Sequence, residues 1–414
     1  MGLATGFYFY GLLYFTNVAY VLGAFLLMKC CSRSTGANLI AWWGMIIMVS
    51  VSFHHYHLQE GGVKSEGLAL DLIFMTNFIK LHMFAVNYDN AGKLDDPEKC
   101  KNLTTREKYF AESLRERLSF AEWLQYFFFC GSSVSGMSHE YRDFDEFINL
   151  KAGYAKIPKN RLIGHAAKRF AHMIICVVLM VVLSLNVSFD TLLTEEWTSK
   201  PFIWRAGYLI AAIHIKVLTL FIGFVSQETN FIACGQGYKP ATKDEPENFN
   251  SLRVISIWSF ESQISWTEAI SKWNIQVHLW LKYYIMLRLM DRKKPKGQMQ
   301  VGPMVVTFIV SAAWHGIQVG FFLMFFGFAL CEYIVKTGER TKAAQFVTKN
   351  VPFHVYHPIK WFFQFFIGSY LVICFQMMTF ERFNFVHSHF YYIGHWALPL
   401  GVILVSVLPK AKRA

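Results

Sequence analysis

Residues 302–335 read GPMVVTFIVSAAWHGIQVGFFLMFFGFALCEYIV, an apolar run too long for one bilayer crossing. A spanning helix needs about 20 residues, so the run is expected to fold into two helices, with Gly316 and Gly320 as the places where the backbone can turn. Inside it stands His315, in the word Ser311-Ala312-Ala313-Trp314-His315-Gly316. An imidazole at hydrocarbon depth finds almost no water, so it faces a partner or a water-filled cavity and marks a functional site. The bland alternative is a packed core histidine bonded to a backbone carbonyl.

Working outward, comparable runs lie at 7–28, 38–53, 68–88, 171–189, 203–226, 353–380 and 390–408. With 54% hydrophobic and only 16% charged residues, the 414-residue chain falls outside the composition of soluble domains. The stretch 119–138 is apolar but dotted with Ser and Gly, which predicts a re-entrant or interfacial segment. The expected fold is all-α: a polytopic integral membrane protein with about nine to eleven membrane helices and re-entrant segments around a central cavity. No repeat or Pro/Ser-rich linker divides the chain, so residues 1–414 are expected to form a single membrane domain. The run from Phe7 to Met28 lacks a basic leader and a small-residue cleavage site, and is expected to be a retained span.

The net charge of +12 is distributed as a membrane topology distributes it, which argues against a nucleic-acid partner. Basic residues concentrate at 29–37, 89–118, 139–170, 227–300, 336–352 and the tail 410–414, whereas Lys64, Lys200 and Arg382 fall in the opposite loops. The positive-inside rule then places the amino terminus outside or in the lumen and the carboxyl terminus in the cytoplasm. On that topology the sequon Asn102-Leu103-Thr104 is cytoplasmic, and a glycan on it would overturn the assignment. Eight cysteines without a CxxC pair give neither a disulfide framework nor a structural zinc site.

Two polar interruptions carry local signals. Thr104-Thr105-Arg106-Glu107 has the spacing of a capping box and predicts a solvated surface helix. Between Trp258 and Leu281, apolar residues recur at three- and four-residue intervals through Phe260, Ile264, Trp266, Ile270, Trp273, Val277 and Trp280, the period of an interfacial helix. That stretch places a carboxamide, Asn274, beside Trp273, and Asn274 and His315 are expected to converge.

These words resemble the membrane-bound O-acyltransferase family, and within it the lysophospholipid acyltransferase branch. The match consists of Trp273-Asn274…Trp280-Leu281 and Ser311 to Gly316, preceded in order by Leu70 to Asn90 with Thr76, Lys80, Tyr88 and Asp89. Then come Phe127-Phe128-Phe129, Ser133, Gly136 and Glu140-Tyr141-Arg142-Asp143-Phe144, followed by Gln227-Glu228 and Cys234-Gly235-Gln236-Gly237-Tyr238. The resemblance covers about residues 68–330. Gly136-Met137 and Asp89-Asn90 stand where the branch usually has Gly-Pro and Asp-Gly.

The resemblance implies an enzyme that moves a fatty acyl group from acyl-CoA to the free hydroxyl of a lysophospholipid, with acyl-CoA as co-substrate and no other cofactor or metal. It implies His315 as general base and Asn274 as oxyanion donor, or as the residue orienting His315 or the CoA arm. Trp273, Trp314, Glu140, Tyr141, Arg253 and Lys282 are the candidate substrate-binding residues, and the basic side chains among them suit CoA phosphates and lipid head groups. Lys410 and Lys412 near the carboxyl end resemble a dilysine retrieval signal of the endoplasmic reticulum.

Alternatives stay open at this level. Sterol, diacylglycerol or peptide acceptors would use the same chemistry, although the Glu140 to Phe144 word belongs to the lysophospholipid branch. A transporter would use intramembrane Lys80, Arg205, His214 and Lys216 as a pathway, but no inverted repeat accompanies them. A di-iron desaturase needs converging His boxes, whereas His54/His55/His57, His354/His357 and His387/His389 fall on mixed sides of the expected topology. A His-x₄-Asp box and a Gly-x-Ser-x-Gly elbow are both absent from the sequence.

Overall fold

A computed structural model of the chain describes residues 1–60, with side chains through 54, and residues 71–132, 138–242, 245–295 and 298–411. Lys64, Ser133, Gly136 and Lys412, and the side chains of His55 and His57, lie outside the described residues. The described chain is helical, with only two isolated β-bridges, Lys239 with Asn248 and Thr341 with Lys410. It divides into two compact units, Met1–His172 with Gly223–Val254, and Met173–Ile222 with Ile255–Ala414.

The first unit is built on α1 (Gly2–Cys30), α2 (Arg33–Glu60) and α3 (Asp71–Ala91). Trp43 Nε1 donates to the Tyr20 carbonyl at 2.8 Å, and Asn77 Nδ2 donates to Asn17 Oδ1 at 2.8 Å. Helix α3 is buried on nearly every side, so its polar side chains need protein partners. Lys80, fully buried, has one: its ammonium donates to the Tyr126 carbonyl at 2.5 Å and lies 4.2 Å from the centre of the Tyr126 ring. Short helices α4 (Thr105–Glu112), α5 (Phe120–Phe127) and α6 (Tyr141–Ile148) follow. Thr104 and Glu107 close the capping box that their spacing predicts. The stretch expected to be re-entrant supplies the single short helix α5 among its described residues.

Two long helices, α7 (Lys159–Ser184) and α8 (Phe202–Ala233), belong partly to each unit. Within the second unit, α7 leaves Ile175, Val178 and Val182 at 55%, 54% and 54% exposure, apolar side chains on one helical face that suit a bilayer-facing side.

The remainder of the second unit begins with Ile257–Glu261, α9 (Trp266–Lys272) and α10 (Ile275–Trp280), which runs into a π-helical turn at Leu281–Met286. Then come α11 (Val301–His315), α12 (Val319–Gly338), α13 (Lys342–Asn350), α14 (Phe353–Met377) and the bent pair α15 (Phe380–Ser388) and α16 (Ile393–Val407). Gly320 lets α12 approach α14 closely, because a Cβ there would stand 2.1 Å from the Cys374 carbonyl oxygen. Residues 340–342 are clipped to the end of the chain: Lys342 N–H donates to the Pro409 carbonyl and Ala411 N–H to the Arg340 carbonyl, both at 2.9 Å.

Six helices among the described residues are long and apolar enough to cross a membrane, or seven if the bent pair counts as one span. The expected nine to eleven segments thus include pieces of another kind. Val301–His315 is a shorter apolar helix, and Asp71–Ala91 carries Asn77 and Lys80, whose side chains are bonded inside the protein. The interfacial helix expected from Trp258 to Leu281 is instead three short helices broken at residues 262–265 and 273–274. Of the periodic residues, Trp266 and Trp280 are buried whereas Trp258 is exposed, so the apolar period does not correspond to one continuous buried stripe.

Candidate active site

His315 is the last residue of α11. The helix stops there because Gly316 takes φ +137°, a conformation that side-chain-bearing residues avoid. A Cβ at Gly316 would also stand 2.7 Å from Gln318 Oε1 and 3.0 Å from the Phe321 ring. The turn over Gly316 and Ile317 leads directly into α12, so the long run does fold into two helices, with the imidazole at the break.

The His315 ring is half-buried among aromatics. Phe325 lies nearly parallel to it, centroids 5.2 Å apart at 22°, and Phe375 meets it edge-on at 5.0 Å. Trp314 lies 4.7 Å away on the same helix, and its indole is 6.2 Å from that of Trp280. Among the described residues neither ring nitrogen of His315 has a hydrogen-bond partner, so the bland reading of an imidazole bonded to a carbonyl does not describe this side chain.

Asn274 belongs to the same unit, between α9 and α10. Its backbone is left-handed, φ 36° and ψ 59°, a region that Asn tolerates better than most side chains. It stands at the N-cap position of α10, yet its side chain caps nothing and has no hydrogen-bond partner among the described residues. Trp273 anchors the turn from the other side, 5.0 Å from Phe260 and 5.8 Å from Phe221. No hydrogen bond joins Asn274 to His315 among the described residues. Their link runs through α10, whose Trp280 faces Trp314. Lys282, exposed on the π-helical turn, lies 5.3 Å from the Tyr283 ring centre.

The other expected binding residues belong to the first unit, where they are differently occupied. Glu140 is buried, and its two carboxylate oxygens accept from Asn87 Nδ2 at 3.0 Å and from Arg106 at 3.3 Å. Tyr141 opens α6 and is buried, which pushes its phenol well above its ordinary value. Desolvation likewise raises the Asp143 carboxyl, partly offset by Lys239 at 3.5 Å. Arg253 is exposed. Glu228, fully buried, pairs with Arg169 at 2.5 Å and accepts from Asn250 Nδ2 and the Val254 N–H, each at 2.7 Å.

The intramembrane cations of the second unit have local partners too. His214 lies 3.6 Å from Glu261 and its Nδ1 is 2.9 Å from the Ile210 carbonyl oxygen; Arg205 lies 5.9 Å from the Trp197 ring centre. His387 Nε2 is 3.0 Å from the Tyr370 carbonyl oxygen and His389 Nδ1 2.7 Å from that of Phe385. No three His, Cys, Asp or Glu side chains converge on a metal position among the described residues.

Three further residues of α12 and the turn before it carry no motif of their own. Gln318, just past the turn, is buried with its Oε1 unpartnered among the described residues. Phe325 stacks on the imidazole, and Glu332 is the single acid of the 302–335 run. An acid alone in so long an apolar run is a sequence signal in its own right.

This arrangement presents an imidazole and a carboxamide with hydrogen-bonding capacity to spare, which suits proton transfer and stabilisation of a developing oxyanion. Among known proteins, the chain is 26% identical over 318 residues to lysophospholipid acyltransferase of Saccharomyces cerevisiae, covering 72% of this chain and half the length of that relative. It is 24% identical over 371 residues to lysophospholipid acyltransferase of Schizosaccharomyces pombe, covering 87% of this chain and 70% of that protein. To human lysophospholipid acyltransferase 5 it is 22% identical over 431 residues, covering all of this chain and 82% of the other. The model of the membrane-bound O-acyltransferase family matches residues 39–379, spanning the turn at Asn274, the helix break at His315 and Gly316, and most of the membrane helices, and the chain belongs to that family.

Proposed function

We propose that this protein esterifies the free hydroxyl of a lysophospholipid with a fatty acyl group delivered as acyl-CoA, in the membrane of the endoplasmic reticulum with its carboxyl terminus in the cytoplasm. The observation that carries the reading is His315: an imidazole at a helix break, walled by Trp314, Phe325 and Phe375 and left without a hydrogen-bond partner among the described residues. The names of the relatives supply the substrate class.

In this mechanism His315 accepts the proton of the lysolipid hydroxyl as its oxygen attacks the thioester carbonyl carbon. The Asn274 carboxamide donates to the carbonyl oxygen as negative charge develops there. The tetrahedral species collapses with cleavage of the carbon–sulfur bond, and the departing thiolate takes the proton back from His315 to leave free CoA. Transfer is direct, with no acyl-enzyme and no cofactor beyond the acyl-CoA co-substrate. Trp273 and Trp314 fix the turn and the helix end that present the two groups. Lys282 and Arg253 offer exposed charge to CoA phosphates or lipid head groups, whereas Glu140 and Tyr141 shape the first unit.

The test is a panel of lysophospholipids crossed with several acyl-CoAs on purified protein in lipid discs, read by thiol release and by product mass. Thiol release that depends on a lysolipid supports the reading. Release that follows a sterol, diacylglycerol or peptide instead, or no release with any acceptor, overturns it.

A further inference from the structure

Resting on that reading of His315 and Asn274, we infer that Glu332 is a positioning residue for Asn274, acting through Thr267 and helix α9. Three side chains of α12 share one face, Phe325, Phe328 and Glu332, at i, i+3 and i+7. Phe325 lies against the His315 ring at 5.2 Å. Phe328 takes the edge of Trp266 at 4.9 Å and 78°, and Glu332 Oε2 accepts from Thr267 Oγ1 at 2.8 Å. Trp266 and Thr267 are the first two residues of α9, and that helix ends at Lys272, directly before Trp273 and Asn274. One face of α12 therefore touches the imidazole itself and the helix that delivers the carboxamide.

A carboxylate this deep in an apolar helix needs a reason. Glu332 is buried, and Lys336, one turn along, pairs with it at 2.6 Å. An ion pair with a buried carboxylate is weak evidence for stability, since apolar residues of similar volume often pack as well or better; the best-attested use of such a group is fixing the register of one element against another. Here the element so fixed is α9, a seven-residue helix too short to hold its own position. Trp266 packing alone permits small sliding, whereas the Thr267 bond accepts one register. The turn at Asn274 inherits that register through Lys272 and Trp273, and misplacement of a reacting group by about 1 Å costs roughly a hundredfold in rate.

The experiment measures kcat and KM for acyl-CoA and lysolipid in purified Glu332→Ala, Glu332→Gln, Thr267→Val and Asn274→Gly, and in Asn274→Gly combined with Glu332→Ala. Glu332→Ala and Thr267→Val are expected to lower kcat roughly ten- to hundredfold with little change in KM. Glu332→Gln, which keeps an acceptor for Thr267, should restore most of the rate. In the Asn274→Gly background, Glu332→Ala should add almost nothing, because the group it positions is gone. If the two losses multiply independently, or if Glu332→Ala and Thr267→Val lower only the amount of folded enzyme and not its kcat, Glu332 is structural and the inference fails alone. If Asn274→Gly turns over like the parent, the assignment of Asn274 fails and takes this inference with it. Thr267→Val, a near-isosteric change, keeps the test open where Glu332→Ala does not fold.

Discussion

The motif side chains of the two units stand in different hydrogen-bonding settings. In the first, Glu140, Glu228 and Lys80 are each matched by protein: Asn87 and Arg106 for one, Arg169, Asn250 and the Val254 N–H for another, the Tyr126 carbonyl and ring for the third. In the second, His315, Asn274 and the Oε1 of Gln318 have no hydrogen-bond partner among the described residues. Burial of a polar group is tolerated when its bonds are made, and a group left with bonds to make is either a defect or a place for something else. Unmade bonds single out His315 and Asn274 as the proposed reactive groups, and Gln236, buried in the first unit with Nε2 and Oε1 unpartnered among the described residues, shows that the criterion needs the motif beside it.

The sharpest way to break that contrast is at its extremes. Replacing His315 with Ala should reduce acyl transfer by at least about 10² to 10⁴ while membrane insertion and thermal midpoint stay near those of the parent. Parent-like turnover would place the chemistry elsewhere. For Asn274 two substitutions separate carboxamide from backbone: Gly keeps the left-handed turn and should lose about 10² to 10³ in kcat. Ala should lose at least as much and in addition about 1 kcal/mol of stability from the strained φ. Equal kcat for Gly and parent, with loss only in Ala, would make Asn274 a turn residue.

On the other side of the comparison, Glu228→Ala should behave in the opposite way. Leaving Arg169 without its buried partner should cost about 3 to 5 kcal/mol of stability, read as a lowered thermal midpoint, with kcat per folded molecule unchanged. A kcat effect larger than the stability effect would move Glu228 into the chemistry. The smallest effect is expected at Gln318. Gln318→Leu removes an unpartnered acceptor and should raise stability by up to about 1 kcal/mol, while slowing turnover by up to about tenfold if a substrate group meets that oxygen. A gain in stability with no change in rate would make Gln318 a packing residue.

Much of this is legible in the sequence. The apolar runs announced an all-helical membrane protein, Gly316 marked where 302–335 divides, and the capping box at Thr104 was readable because its two partners lie three residues apart. His315 stood out because a membrane imidazole is costly, and Asn274 because of the aromatic words around it. What stayed hidden was non-local or conformational. The bond from Thr267 to Glu332 joins residues 65 apart, and no local pattern encodes it. The left-handed backbone at Asn274 divides a stretch whose apolar period reads as one helix, because spacing along the sequence carries no record of the backbone dihedral at a single residue. Among the described residues six helices, or seven with the bent pair, are long and apolar enough to cross a membrane, and α3 is not one of them because it carries polar side chains such as Asn77 and Lys80, which are matched from within.

The backbone clip between residues 340–342 and 409–411 has a use beyond holding two loops together. Segments that share main-chain bonds occupy the same aqueous compartment, so a reporter fused after the last residue also reads the address of the connection between α12 and α14. With that connection placed, α12 acquires a direction across the bilayer, and the imidazole just before its start acquires a depth measured from a known face.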